Sequence, residues 1–513
     1  MAVWRRAWPW LARTGVATAA LAAWLAVVPA PASAHAIGQV FILPVPLALY
    51  LAGAALAVAA SFAVAVVVVR PAEDTPRYPT WPLPTGLAQV VSIGLQVLGV
   101  LWWVGTILLG YLADSSSPLP AVLFWIGIWT GLPIIAVLLG NPWPSLSPFR
   151  TIFGALERLA RAASLQRLDA GLAYPRGLGR WPAVAFLFGA LWAELVLPES
   201  ETPVVVANLM LGYTVLTLVG MMLFGRVAWL RQAELFEVLL GWFGRIGPIG
   251  RRVVVETACD DCGEGCDPRR CVDCPECSVA AEPGERRAEL RPWFVGLTEV
   301  LDGQWSDAGF IILALAGVTY DGLQETAFWG SLMQPIFVAL YEVVGALNTV
   351  WLVQTLGLAA VWLAFLAAFV LATGLTRALH DSQHQPPPMG RQVGAYAATL
   401  LPIAAGYLVA HYLTLLIQGV VWLPQLLADP LLTVAPPLDW IPVSVVWYLS
   451  VGAIVVGHIV AVVLAHRIAL RDSPSRPVLA GLPLVLLMIG YTVMSLWIIA
   501  APITIEPGVV PTQ

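Results

Sequence analysis

Stretches of about 20 consecutive apolar residues recur along the entire chain, and almost every charged side chain lies between them. An α-helix rises about 1.5 Å per residue, so about 20 residues cover the roughly 30 Å hydrocarbon core of a bilayer. The pattern predicts an all-α fold, a polytopic membrane helix bundle of about ten transmembrane helices after an N-terminal signal peptide. The expected spans are 45–69, 87–112, 119–140, 181–198, 203–230, 307–324, 349–376, 393–423, 441–466 and 477–502. Apolar residues make up 59% of the 513 and charged residues 11%, which excludes an ordinary soluble globular domain. The net charge of −5 comes without any dense basic patch. Nucleic acid is therefore excluded as a partner, and the lipid bilayer is the first one implied.

At the N-terminus, Arg5, Arg6 and Arg13 accompany the apolar run GVATAALAAWLAVV, and ASA ends at Ala34. This is the layout of a secretory signal over 1–34, or of an uncleaved signal anchor. Orientation follows from arginine, the only basic residue besides histidine, because positive charge resists translocation. Arg70 and Arg77 follow the first span, and Arg150, Arg158, Arg161, Arg167, Arg176 and Arg180 separate the third from the fourth. Arg226 and Arg231 close the fifth, while Arg377, Arg391, Arg467, Arg471 and Arg476 flank the last four. The loops DSSSPLP, PESETP and ADPLLTVAPPLDW on the other side contain none.

The resulting organisation is a first membrane half over 35–231, a cytoplasmic cysteine-rich loop over 232–306, a second half over 307–503 and an extracytoplasmic tail over 504–513. Each half has five helices, and the protein sits in the cell (cytoplasmic) membrane with both mature termini outside. An odd number per half would make the halves inverted if they were repeats, although they share no visible similarity. Ser147 and Pro148 suit a helix entry. The helix expected over about 148–168 places Ile152, Phe153, Leu156, Leu159 and Leu165 opposite Arg158, Arg161 and Arg167. It reads as an amphipathic helix in the cytoplasmic headgroup region, or as an ordinary loop helix.

All six cysteines fall in CDDCGEGCDPRRCVDCPEC: Cys259, Cys262, Cys266, Cys271, Cys274 and Cys277. Stable disulfides are disfavoured in the reducing cytoplasm. The C-x2-C steps bring neighbouring thiolates together, and four sulfurs complete a tetrahedral zinc site. Cys259, Cys262, Cys271 and Cys274 would supply them, with Cys266 or Cys277 able to substitute. An iron–sulfur cluster is the alternative, although the full ferredoxin spacing is absent. A cysteine-rich insertion without metal is the plain one.

Ionisable residues within spans are costly and mark sites. Glu194, Asp321, Glu325 and His411 are all expected in the outer half of the bilayer, with Gln418 two turns beyond His411 and Glu342 in an apolar stretch outside. Asp321 and Glu325, spaced i to i+4, are expected on one helix face. Cleavage after Ala34 would expose His35, whose amine and imidazole suit a transition metal. The candidate outer site therefore comprises His35, Glu194, Asp321, Glu325 and His411; the alternative is that these acids are simply solvated. His458 reads as a packing residue or part of a proton path, His466 as interfacial, and His380 and His384 as solvated loop residues.

The runs HAIGQVFILPVPLALY, LWAELVLPESETP, YTVLTLVGMMLFGRVAWLRQAELFEVLLGWFGRIGP, GVTYDGL and GHIVAVVLAHRIAL occur in this order. Together they resemble the bacterial and archaeal membrane proteins known as fenitrothion hydrolase, component B. The resemblance implies a polytopic membrane protein that is one component of a complex hydrolysing an organophosphate ester. It assigns no catalytic residue, and the cysteine loop departs from its pattern. Three functions remain open: a phosphoester hydrolase, metal-dependent through the outer site; a transporter of a metal ion or small solute using the same groups; and a non-catalytic scaffold or assembly factor whose cysteine loop docks a cytoplasmic partner. The zinc expectation has a direct check: elemental analysis of the purified chain should find metal that disappears when 259–277 is deleted.

Overall fold

The computed structural model describes residues 41–42, 45–70, 78–82, 85–165, 167–253, 273–274, 277, 281, 285–298, 303–380, 385–501 and 504–505. The signal segment 1–34 and the tail beyond Ile505 lie outside the described residues. Chain order begins with β1 (Phe41–Ile42), α1 (Leu47–Val68), β2 (Thr80–Pro82), α2 (Thr85–Leu112) and α3 (Leu119–Leu138). Next come α4 (Pro148–Ala162), α5 (Trp181–Leu195), α6 (Pro203–Phe224), α7 (Arg226–Gln232) and α8 (Leu235–Gly244). After strands β3 (Ile249–Val253) and β4 (Arg286–Leu290) follow α9 (Trp305–Gln324), α10 (Ala327–Val344) and α11 (Ala346–Ala378). The chain closes with α12 (Met389–Ala398), α13 (Leu401–Ala428), α14 (Val443–Asp472), α15 (Pro477–Ala500) and β5 (Thr504–Ile505).

Among the described residues, nine helical segments are long and apolar enough to cross a membrane: α1, α2, α3, α6, α9, α11, the α12–α13 pair, α14 and α15. The protein is an all-α, multi-pass membrane helix bundle. The fourth expected span, 181–198, forms only the 15 residues of α5. At about 1.5 Å per residue this helix is about 22 Å long, short of the hydrocarbon core. Pro198 disfavours helical backbone in the residue before it, which fits a helix that stops at Leu195. The expected span 203–230 breaks at Gly225, whose φ of +82° suits glycine alone. The span expected at 393–423 is interrupted at Thr399–Leu400, because Pro402 cannot supply an N–H to the preceding turn.

The chain forms two compact units. The first gathers residues up to Ala72, Ile311–Thr414 and from Pro437 onward, so it interleaves early and late segments. In it α1, α14 and α15 pack on one another, α11 packs on α15, α10 on α11, and α12 on both α11 and α14. Aromatic contacts fix the fit: Tyr50 meets Trp447 edge-on at 5.7 Å, and Phe365 stacks on Tyr491 at 4.8 Å. The two-residue strands β1 and β5 pair in parallel, Phe41 with Thr504 and Ile42 with Ile505.

The second unit comprises Glu73–Phe310 and Leu415–Pro436. Its centre is aromatic. Trp103 on α2 contacts the rings of Phe124, Trp143, Phe149, Tyr213 and Phe236 at centroid distances of 5.1 to 6.4 Å. A buried carboxylate, Glu234, closes this cluster by capping α8. It accepts hydrogen bonds from the Tyr213 hydroxyl (2.5 Å), the Trp143 indole (3.0 Å) and the amides of Phe236 (3.1 Å) and Glu237 (2.6 Å). Within α3, Val122–Gly131 is wound as a π-helix, and the Thr130 hydroxyl donates to Trp125 O five residues back.

Ser147 caps α4 as expected, accepting from Arg150 N at 3.2 Å with Pro148 in the first turn. The helix ends at Ala162 rather than near 168, and its buried side consists of Phe149, Phe153 and Ala160. Leu159 and Leu165, expected on the apolar face, are exposed. Packing decides which side is covered: Arg150 reaches Glu237 on α8 at 3.0 Å and Arg226 on α7 reaches Glu157 at 3.6 Å, while Phe149 and Phe153 are buried.

The loop 232–306 supplies β3 and β4 to a three-stranded antiparallel sheet, ordered β2-β4-β3, whose third strand comes from ahead of α2. Thr80 pairs with Glu289, and Val253 with Arg286, so residues 254–285, which hold every cysteine, form one excursion between adjacent strands. An ionic chain anchors it. Arg291, with its side chain 1% exposed, bonds Asp273 at 2.6 Å, and Asp273 also accepts from Arg251 N at 2.8 Å. Glu289, equally buried, pairs with Arg252.

Glu234 makes a pH prediction. Burial pushes its pKa up to about 7 from the ordinary 4.5, against the pull of its Tyr213 and Trp143 bonds. A carboxyl raised on folding binds more protons in the folded state, so stability is full below about 4.5 and declines as pH rises to about 7. The decline should total at most about 3 kcal/mol. Thermal unfolding in detergent from pH 4.5 to 8 should show this slope, and Glu234→Gln should flatten it.

Candidate functional site

In the first unit a carboxylate and an imidazole from two different spans meet. Asp321 comes from the last turn of α9, and His411 and Tyr412 from the middle of α13. His411 donates from Nε2 to Asp321 Oδ2 at 2.9 Å, and the Tyr412 hydroxyl donates to the same oxygen at 2.7 Å. Both Asp321 and His411 are mostly buried, with side chains 18% and 23% exposed.

Close helix approach makes this contact possible. A Cβ on Gly322 would lie 2.6 Å from Ile498 on α15 and 3.0 Å from the Tyr407 hydroxyl, so only glycine fits beside Asp321. Tyr407 precedes His411 by one turn, and their ring centroids are 6.2 Å apart. The Tyr407 hydroxyl is buried and has no hydrogen-bond partner.

This geometry fixes a tautomer. A carboxylate can only accept, so Nε2 carries a proton, and in the neutral ring the lone pair is on Nδ1. Among the described residues no hydrogen bond engages Nδ1. The arrangement is a carboxylate–imidazole dyad, oriented at one ring nitrogen and open at the other. Such a dyad takes up a proton at Nδ1, and Asp321 stabilises the imidazolium that forms.

The other expected site residues are distributed differently. Glu325 lies in the turn beyond the end of α9, exposed, so the i to i+4 helical face does not extend to it. Its charge still bears on His411. Glu194 is half-buried on α5, and Gln418 donates weakly to Pro436 O at 3.5 Å; both belong to the second unit. His35 and the Glu342 side chain lie outside the described residues, as do Cys259, Cys262, Cys266 and Cys271. Cys274 is half-buried and Cys277 buried. His466, expected at the interface, is 1% exposed on α14, because α1 covers it with Phe62 edge-on at 5.7 Å.

Among the described residues no three His, Cys, Asp or Glu side chains converge as metal ligands. The dyad supplies two donors where a catalytic zinc takes three from protein, so proton transfer is the reactivity it offers by itself. Tyr412 and Tyr407 were not singled out from sequence. Tyr407 had a signal, since i−4 from His411 places it on the same stripe; Tyr412 had only adjacency. The chain matches no protein-family model, no curated protein and no solved structure.

Gly322→Ala should push Tyr407 and Ile498 apart and cost about 1–3 kcal/mol, the usual range for overpacking. A lowered unfolding temperature in detergent, with Tyr407→Phe unaffected, would be the expected readout.

Proposed function

We propose that this membrane protein is a hydrolase of organophosphate esters, in which His411 is the general base and Asp321 its positioning partner. The observation that carries the reading is the His411 ring, bonded to Asp321 at Nε2 and open at Nδ1. In the reaction, Nδ1 accepts a proton from water as the water oxygen forms a bond to phosphorus. The bond from phosphorus to the leaving aryloxide breaks, and the proton passes from Nδ1 to that aryloxide. Tyr412 holds the Asp321 carboxylate in place through the transfer. Support for the substrate class comes from the resemblance to fenitrothion hydrolase component B, which also implies further subunits in the native complex.

The arginine bias supports an arrangement with the cysteine loop in the cytoplasm and the dyad toward the outer face. Zinc held by the cysteine loop would be structural, closing a site whose second half is anchored to the sheet through Asp273. The test is hydrolysis of a nitrophenyl phosphorothioate triester by the purified chain. His411→Ala should lower turnover by about 10²- to 10⁴-fold, the usual worth of a general base. Asp321→Asn should lower kcat more than it changes KM. Absence of turnover by the wild-type chain, alone and with its co-purifying subunits, would overturn the proposal.

A further inference from the structure

A second set of buried polar atoms runs along α14, away from the dyad, and belongs to the same unit. Its register against α13 is set by backbone contacts. The Ser450 hydroxyl donates to Ala410 O at 3.1 Å, a Cβ on Gly406 would meet Ala453 O at 2.4 Å, and one on Gly457 would meet Pro402 O at 2.3 Å. The two helices are therefore antiparallel, with 410, 406 and 402 level with 450, 453 and 457. His411 lies near the level of residue 449, and Tyr407 near 452–453. His458 is then about 13 Å further along the axis, His466 about 12 Å beyond it, and Asp472 about 9 Å beyond that, at 1.5 Å per residue. The series covers about 34 Å, close to the thickness of the hydrocarbon core.

The members of this series are unusual for buried side chains. His458 is fully buried; its Nδ1 donates to Ile454 O at 2.8 Å, which leaves the Nε2 lone pair with no partner. His466 has no hydrogen-bond partner at either ring nitrogen. Gln392 and Tyr396 on α12, which packs on α14, are buried with the Gln392 amide and the Tyr396 hydroxyl unpartnered. Asp472, with its side chain 5% exposed, accepts from Arg471 at one oxygen and has no partner at the other. An unpaired buried polar group costs about 1–3 kcal/mol, and several in a row point to water shared among them.

We infer that the first unit conducts protons across the membrane along α14, between the Asp321–His411 dyad and Asp472 by way of Tyr407, His458 and His466. The carriers between side chains are water molecules. His458 takes a proton at Nε2 and returns it through the same atom, since Nδ1 is held on Ile454 O. His466, with both nitrogens unengaged, accepts on one and releases from the other. No bond other than O–H and N–H changes, and each hop moves one proton. Competing charges are few. The elements packed on α14 carry, as titratable groups, Tyr50 on α1, Arg391 and Tyr396 on α12, Tyr407, His411 and Tyr412 on α13, and Tyr491 on α15. On α14 itself Tyr448, Arg467, Arg471 and Asp472 complete the set. Apart from Asp472, no carboxylate among them faces the two histidines.

The experiment reconstitutes the full chain into phosphatidylcholine–phosphatidylglycerol vesicles loaded with a pH-sensitive dye. A potassium diffusion potential is imposed with valinomycin. Proton entry should be at least tenfold faster than in protein-free vesicles, and His458→Gln and His466→Gln should each reduce it at least fivefold. Wild-type flux equal to that of empty vesicles overturns the inference, as does undiminished flux in both variants. If a glutamine variant fails to elute as the wild type does, Asp472→Asn and Tyr407→Phe are read by the same criterion. Ester hydrolysis by His466→Gln should be unchanged, so loss of flux and loss of hydrolysis fail separately.

Discussion

In a hydrocarbon interior a peptide N–H or C=O has no partner but the chain itself, and leaving one unmet costs several kcal/mol. The places where this chain departs from regular helix show how tightly that constraint applies. At the α12–α13 break, Thr399 N bonds Tyr396 O at 3.0 Å and Leu400 N bonds Ala397 O at 2.9 Å, so tighter turns carry the ladder across the gap. The Thr399 hydroxyl adds a bond to Tyr396 O at 2.6 Å. In the π-wound part of α3, the Thr130 hydroxyl reaches a carbonyl as well. Irregular backbone is tolerated where a side chain or a shortened turn closes the hydrogen-bonding account.

Side chains in the interior are handled in two opposite ways. Glu234 receives four donors and sits inside a ring of aromatic groups, which fixes it as a structural cap. The α14 histidines are just as deeply buried, yet His466 has no hydrogen-bond partner and His458 only its own backbone. A carboxylate so fully satisfied resists rearrangement. An imidazole with open nitrogens does not, and the dyad at His411 stands between the two extremes, with one nitrogen fixed and the other available.

Much of the helical layout was readable from hydropathy alone, because segments such as LALYLAGAALAVAASFAVAVVV have no other stable form in lipid. What hydropathy missed were local interruptions. Pro198 shortened α5, Gly225 ended α6, and Pro402 divided the α12–α13 span, each through backbone geometry that an averaged window smooths away. The short strands TWP and RRAEL escaped notice since neither alternates clearly and each depends on a distant partner for its hydrogen bonds. Asp321 and His411 were each conspicuous as ionisable groups in apolar surroundings. Their direct pairing across 90 positions was not legible, because nothing local specifies which two spans become neighbours. His466 looked interfacial beside Arg467, and only its cover by Phe62 on α1 reveals it as interior.

The cysteine-bearing excursion leaves and re-enters the sheet at Val253 and Arg286, which face each other across adjacent strands about 5 Å apart. A segment joined to its host at so narrow a neck is a cassette: it can be lengthened, exchanged or lost while the flanking strands keep their pairing. One thread would not come away cleanly. Arg291 bonds Asp273 from inside the cassette, so a replacement that brings no anion leaves the guanidinium to Glu289 at 3.6 Å and the carbonyls of Gly244 and Gly247.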